Sequence, residues 1–363
     1  MAKNSFYFPA LDGLRLLASL NIVLLHLGSS NALGYLKSEW LKPVIQAPAF
    51  AAGLFFVLAG FLFGSKFHDP ERKVAFLPFM RARFLKLYRL HFVCTILMFV
   101  ILAVRFGGLE GLYHPWRSLV LHLTLTWAIV PDLGMKLNEP SWALTAFFFC
   151  YAVTPAFSKR LNSISMKKVY CLCALVFIPG IIWGILFGLN FGDFASYESR
   201  YRFYHVFVPV RICEYLFGMI LFRIYKERGF DFLKKKFVSG ALQFSLLALL
   251  YVSLFFLETE SAAWNYICHH TIPILIYGAL ILSLTASRGF LGTLFCIRPV
   301  RQVGKASFYP YLIHLPMIAV FWCFADLNTP LNLLVFLVVI YGLSTFYQMW
   351  KDSKRKKKIS KTA

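Results

Sequence analysis

Residues 11–26 read LDGLRLLASLNIVLLH, and the fold turns on whether this run is a leader or a membrane span. With its flanks it reaches about 20 apolar residues, the length that crosses roughly 30 Å of hydrocarbon. Asp12 and Arg15 interrupt its start and no A-x-A site follows, which argues for a retained span. Arg15 and His26 are eleven positions apart. At about 100° per residue that is roughly 20° beyond three full turns, so both project from one helical face, about 16 Å apart along the axis. A lipid-bound helix thus aligns a cation with an imidazole.

The whole chain repeats the membrane signal. Of 363 residues, 59% are hydrophobic and 18% aromatic, with a mean hydropathy of +0.65. Soluble domains stay nearer half apolar. The net charge of +22 is compatible with nucleic-acid binding. Its distribution argues otherwise, because the basic residues sit in short clusters between apolar spans and not on one soluble face. No nucleic-acid partner is expected. Eight cysteines lie mostly inside apolar runs without zinc or redox spacing, and are expected as buried free thiols.

Spans are expected at 10–30, 46–65, 87–105, 140–157, 169–190, 205–224, 238–257, 265–285, 306–325 and 331–350. An eleventh run, WRSLVLHLTLTWAIV at 116–130, is flanked by Pro115 and Pro131 and has only 15 residues. As a helix it would cover about 22 Å. Charge decides its reading. If it does not cross, 29 Lys/Arg fall in inner segments and seven outside, among them Lys37, Lys42 and Lys136; if it crosses, 21 of the 29 move outside. The positive-inside bias therefore favours an all-α bundle of ten transmembrane helices, both termini cytoplasmic, with 116–130 re-entrant or interfacial. Residues 1–350 form one membrane domain, and 351–363 a basic cytoplasmic tail that attracts anionic lipid. No internal repeat is visible.

Ionisable groups inside a bilayer are costly and point to function. Besides Arg15 and His26, Arg211 and Glu214 stand three apart in HVFVPVRICEYLFGM, close enough to pair. That pair reads either as part of a site or as a structural ion pair. His314 reads either as a base or as a core histidine bonded to a backbone carbonyl. His269 and His270 lie near a span end, as do His68, His91, His114, His122 and His205, and all are read as interfacial. No phosphate-binding glycine loop, G-x-S-x-G elbow or metal-ligand spacing occurs, so metal-free acid–base chemistry is what remains for the histidines.

The opening stretch FPALDGLRLLASLNIVLLHL resembles the first helix of the membrane acyltransferase 3 family, whose hallmark is an arginine, ten residues, then a histidine. GLFFVLAGFLFG (53–64) is similar to its F-F-x-x-S-G-F string, and FMRARFLKLYRLHF (79–92) to its basic entry to the third helix. PSWALTAFFFCYAVTP (140–155) resembles its W-S-L-x-x-E segment, RICEYLFGM its R-x-x-E-F-L-x-G-M helix, and GKASFYPYLIHLPM its Y-x-x-Y-L-x-H-x-P helix. All six fall in family order. Two positions depart: the motif serine is Ala59, and the motif glutamate is Phe147.

The resemblance implies transfer of an acyl group, commonly acetyl, from cytoplasmic acyl-CoA (acetyl-CoA) to a hydroxyl of a surface, periplasmic or lipid-linked carbohydrate. It implies no metal, and a multi-pass protein of the bacterial inner or plasma membrane in contact with membrane lipids. His26, Arg15, Glu214 and His314 become the expected catalytic residues; Arg15, Arg81 and Arg83 become the expected donor-binding ones. Arg15 would meet the donor phosphates, a task suited to a guanidinium, with Asp12 orienting it. His26, reached by the pantetheine arm, would take the proton from the sugar hydroxyl. Two rival classes share these features: a transporter of a lipid-linked glycan or metabolite, and an inactive relative acting as a subunit, suggested by Ala59 and Phe147.

Overall fold

The computed structural model describes residues 6–29, 48–69, 71–72, 74–112, 114–130, 137–194, 196–256 and 261–362. The extreme ends of the expected spans 10–30, 46–65 and 238–257, and outer-loop Lys37, Lys42 and Lys136, lie outside the described residues. Every regular element among the described residues is helical. In chain order these are α1 (Pro9–Ser29), α2 (Pro48–Lys66), α3 (Phe76–Arg105), α4 (Pro115–Leu123) and, after the 3-10 turns Trp127–Ile129 and Glu139–Ser141, α5 (Trp142–Ser163). Next come α6 (Met166–Leu175), α7 (Ile178–Gly188), α8 (Tyr197–Val206), α9 (Val208–Arg228), α10 (Lys236–Phe256), α11 (Ala262–His269) and α12 (Ile272–Leu284). The chain finishes with α13 (Gly289–Cys296), α14 (Arg298–Ala306), α15 (Phe308–Phe321) and α16 (Pro330–Thr362).

Among the described residues, eight helical stretches are long and apolar enough to cross a membrane. Two further expected spans are occupied by shorter apolar helices, Ala52–Lys66 and Phe308–Phe321. Proline explains several breaks: α7, α9, α12 and α14 each carry one at their first positions. A missing N–H and a fixed φ suit a helix start but stop the preceding turn from continuing. The segment 116–130 contains only nine-residue α4 and a 3-10 turn, and α4 is about 14 Å long.

Stretch Arg202–Arg228 is the most enclosed of the eight, and Met166–Gly188 and Pro330–Arg355 are the most outward. Outward positions on α3 and α16 are apolar, including Val93, Val104, Leu334 and Phe346, a surface that suits hydrocarbon. Cys94, Cys150 and Cys268 are buried free thiols as expected, whereas Cys171 and Cys323 are exposed. Cys171 belongs to peripheral α6, and Cys323 follows the end of α15.

Small residues let α2 and α9 touch backbone to backbone, the usual solution where hydrocarbon gives helices no hydrophobic reason to associate. A Cβ on Gly60 would overlap the Tyr215 carbonyl and stand 3.1 Å from the Gly218 Cα. On Gly218 it would overlap the Val57 carbonyl and stand 2.8 Å from the Phe61 nitrogen. Neither obstacle is a movable side-chain tip. Gly218→Leu should therefore cost more than the roughly 1–3 kcal/mol of ordinary overpacking and deplete folded protein in detergent extracts. Gly342→Leu on α16, where a Cβ meets nothing within 4 Å, should leave the melting temperature unchanged.

Candidate active site

A cavity of about 490 Å³ opens between α1, α2, α3, α5, α8 and α15. Arg15, in the second turn of α1, and His26, in its last turn, both line it, so the cavity follows most of that helix. Around Arg15 the wall gathers further cations: Arg83 and Lys86 of α3 and Lys305 of α14. The charges of Arg83 and Arg15 are both near enough to act on that of Lys86.

Arg15 is held from behind. Its Nη1 donates to Asp12 Oδ1 at 2.9 Å, and Asp12 Oδ2 accepts from the Tyr7 hydroxyl at 2.8 Å. That hydroxyl accepts in turn from Arg301 at 2.7 Å. The i,i+3 pairing of Asp12 with Arg15 thus exists, and it fixes the guanidinium. Arg83 spreads over the rings of Phe63 and Phe79, at 5.1 and 5.3 Å. Arg81 is not brought to the cavity. Two residues along a helix is about 200° of rotation, and Arg81 instead borders a surface pocket with Leu77, Pro78, Met80, Phe84 and Phe148.

At the other end of α1, the His26 ring lies 5.0 Å from that of His314, tilted by 37°. His314 is fully buried. Its Nδ1–H donates to the Pro310 carbonyl at 3.1 Å, which leaves Nε2 as the lone-pair nitrogen, and that atom has no hydrogen-bond partner among the described residues. His314 therefore bonds a backbone carbonyl, as a core histidine does, and also stands beside His26. The same region contains Glu139, whose charge interacts with that of His26. It is the one acidic residue in the cavity wall among the described residues. Sequence reasoning passed over Glu139 because a carboxylate at the end of a span is ordinary. The available signal was its place eight residues before the missing motif glutamate.

Glu214 does not line the cavity. Arg211 Nη1 donates to both its carboxylate oxygens, at 2.9 and 3.0 Å, and His270 Nδ1 donates to Oε1 at 2.8 Å. The remaining guanidinium nitrogens of Arg211 reach the His205 carbonyl, at 3.0 and 2.6 Å. The pair that the sequence spacing allows is present, and a histidine extends it. It still reaches the cavity indirectly, since Arg211 lies over the Trp142 ring at 5.2 Å and both Trp142 and His205 line the wall.

Several histidines read as interfacial are corrected. His270, directly after α11, is buried with its ring bonded to Glu214 of α9. His91 and His122 are fully buried. His91 Nε2 donates to the His122 carbonyl at 2.8 Å, which ties α4 to α3, and His122 Nδ1 donates to the Ser118 carbonyl within α4 at 2.8 Å. His205 belongs to the cavity. Among the described residues, no group of three or more His, Cys, Asp or Glu could hold a metal ion.

Residues 8–349 match the family model described as an acyltransferase domain. The chain belongs to the acyltransferase 3 family. It is also similar to acyltransferase MdmB of Streptomyces mycarofaciens, with 25% identity over 222 residues, which is 59% of this chain and 56% of that protein. The chain thus spans little more than half the length of this curated relative. No solved structure matches it. In this member of the family, both departures from the motifs face the cavity: Ala59 and Phe147 line it, and Phe147 stacks on Phe56 at 4.5 Å. The wall between Arg15 and His26 is accordingly apolar.

The Arg211 network makes a stability prediction. Removing one partner of a buried pair leaves an uncompensated charge and costs about 3–5 kcal/mol. Arg211→Met should lose that much in thermal or denaturant unfolding, and adding Glu214→Gln to it should recover a large part.

Proposed function

We propose that this chain is a membrane-embedded O-acyltransferase that moves an acyl group, acetyl in the simplest case, from cytoplasmic acyl-CoA to a carbohydrate hydroxyl. The acceptor is a surface, periplasmic or lipid-linked glycan. The observation that carries the proposal is one cavity with four cations at the Arg15 end and an imidazole at the other. Phosphates of the donor meet Arg15, Arg83, Lys86 and Lys305, and a guanidinium held by Asp12 presents its remaining N–H groups as a planar fork. The pantetheine arm runs along the apolar wall, past Phe56, Ala59 and Phe147, and delivers the thioester to His26.

There the neutral imidazole accepts the proton of the acceptor hydroxyl as its oxygen bonds to the thioester carbon. The C–S bond then breaks, and the CoA sulfur leaves with the proton returned by the imidazolium. His314, adjacent to His26, keeps that ring in place. Glu214 acts only through Arg211 and Trp142. The apolar wall at Ala59 and Phe147 is the one observation favouring an inactive subunit, and turnover by the wild-type chain separates the two readings.

General-base help is worth about 10² to 10⁴ in rate, or roughly 3 to 5 kcal/mol of barrier. His26→Ala should abolish detectable transfer with the melting temperature kept, and His26→Gln should fail equally. A His26→Ala protein near the wild-type rate would remove the base. Arg15→Ala should weaken acetyl-CoA binding roughly tenfold, in line with loss of a charge-assisted hydrogen bond, and Arg15→Lys should not restore it fully. Calorimetric titration of purified protein reads both.

The reading includes ten crossings with both termini cytoplasmic, supported by the charge bias and by the shortness of α4. In a cysteine-free background, Ser163→Cys should react with an impermeant thiol reagent only after permeabilisation, and Asp193→Cys in intact cells. Both positions are exposed. The reverse pattern would mean that 116–130 crosses.

A further inference from the structure

We infer that Glu139 is the positioning carboxylate of His26: it accepts a hydrogen bond from one ring N–H, aims the other nitrogen at the acceptor hydroxyl, and balances the imidazolium formed during transfer. The inference rests on His26 being the base.

Three observations carry it. Glu139 and His26 line the same cavity and their charges interact. A carboxylate enclosed by a largely apolar wall needs partners within the protein; His26 is one whose charge acts on it, and Arg202 of α8 is a further cation in the same wall. Most telling is how the 3-10 turn Glu139–Ser141 is held. The Asn138 side-chain amide donates to the Leu312 carbonyl at 3.2 Å, and the Tyr311 hydroxyl donates to the Pro140 carbonyl at 2.5 Å. On the far side, Trp127 Nε1–H donates to Ser141 Oγ at 3.1 Å. The residue before Glu139 and the one after it are therefore both fastened to α15, the helix whose His314 stands against His26. The turn that carries Glu139 is thus anchored to the helix that packs His314 against His26.

Such fixing is what a base needs from the group behind it. A carboxylate on one imidazole nitrogen selects the tautomer whose other nitrogen is free, and it stabilises the cation without taking the proton. At the motif position, Phe147 offers no carboxylate, so Glu139 supplies the charge from the preceding turn.

The test uses native membranes, which contain the acceptor, with labelled acetyl-CoA as the probe. Incorporation of label is followed for wild type, Glu139→Gln and Glu139→Asp, normalised to folded protein. Glu139→Gln should lower the maximal rate by at least about tenfold, with the KM for acetyl-CoA and the melting temperature unchanged. Glu139→Asp, which keeps the charge, should recover part of the rate. A merely structural role would instead lower melting temperature and rate together. A Glu139→Gln protein within twofold of the wild-type maximal rate overturns the inference, as does a loss explained by stability or by KM. If wild-type membranes incorporate no more label than membranes lacking the chain, the acyl-CoA reading itself falls and takes this inference with it.

Discussion

Arg211 has no water to turn to. Its guanidinium is fully buried in the most enclosed stretch of the bundle, and a cation there persists only if protein atoms replace its hydration shell. Glu214, the His205 carbonyl and the face of Trp142 do so. Each partner belongs to a different part of the cavity's surroundings: Glu214 to α9 itself, His205 to α8, Trp142 to the start of α5. Satisfying one cation therefore fixes how three elements meet, and His270 brings α11 to the same carboxylate. The cavity wall inherits its shape from that requirement.

The opposite end of the site obeys a looser rule. Arg15 is partly exposed, with 35% of its side-chain surface accessible, so its pair with Asp12 orients more than it stabilises. Tyr7 and Arg301 extend that pair into a chain of hydrogen bonds joining the start of α1 to α14. The two ends of one helix thus carry different kinds of polar residue: a braced cation at the accessible end, an imidazole among aromatic and carboxylate neighbours at the enclosed end.

Much of this was legible in the sequence. Hydropathy located the apolar segments, and proline at the starts of α7, α9, α12 and α14 explains where paired helices break. Helical periodicity put Arg15 and His26 on one face and Asp12 within reach of Arg15. What stayed hidden depended on partners far along the chain. Glu139 meets His26 across more than a hundred residues, and no local pattern announces that. His122 and His270 sit near helix ends and His91 near the start of its apolar run, where exposure to headgroups is the usual outcome, and only the packing of α4 on α3 and the bond from His270 to Glu214 bury them. Arg81 and Arg83 read as one basic cluster because a charge count has no angle; the helix turns them about 200° apart.

The backbone contact between α2 and α9 limits how the bundle can move. Helices that meet through side chains can slide past one another by small rotamer changes, the shear mode of packed helices. Gly60 and Gly218 leave no such cushion, since carbonyls and α-carbons interlock directly. These two helices must travel as one body. Any widening of the cavity then comes from its other walls, where α3, α5 and α8 close it with Trp142, Phe147, Tyr151 and Phe203. A ligand that needs a wider cavity must therefore displace those walls and leave the central helix pair as it is.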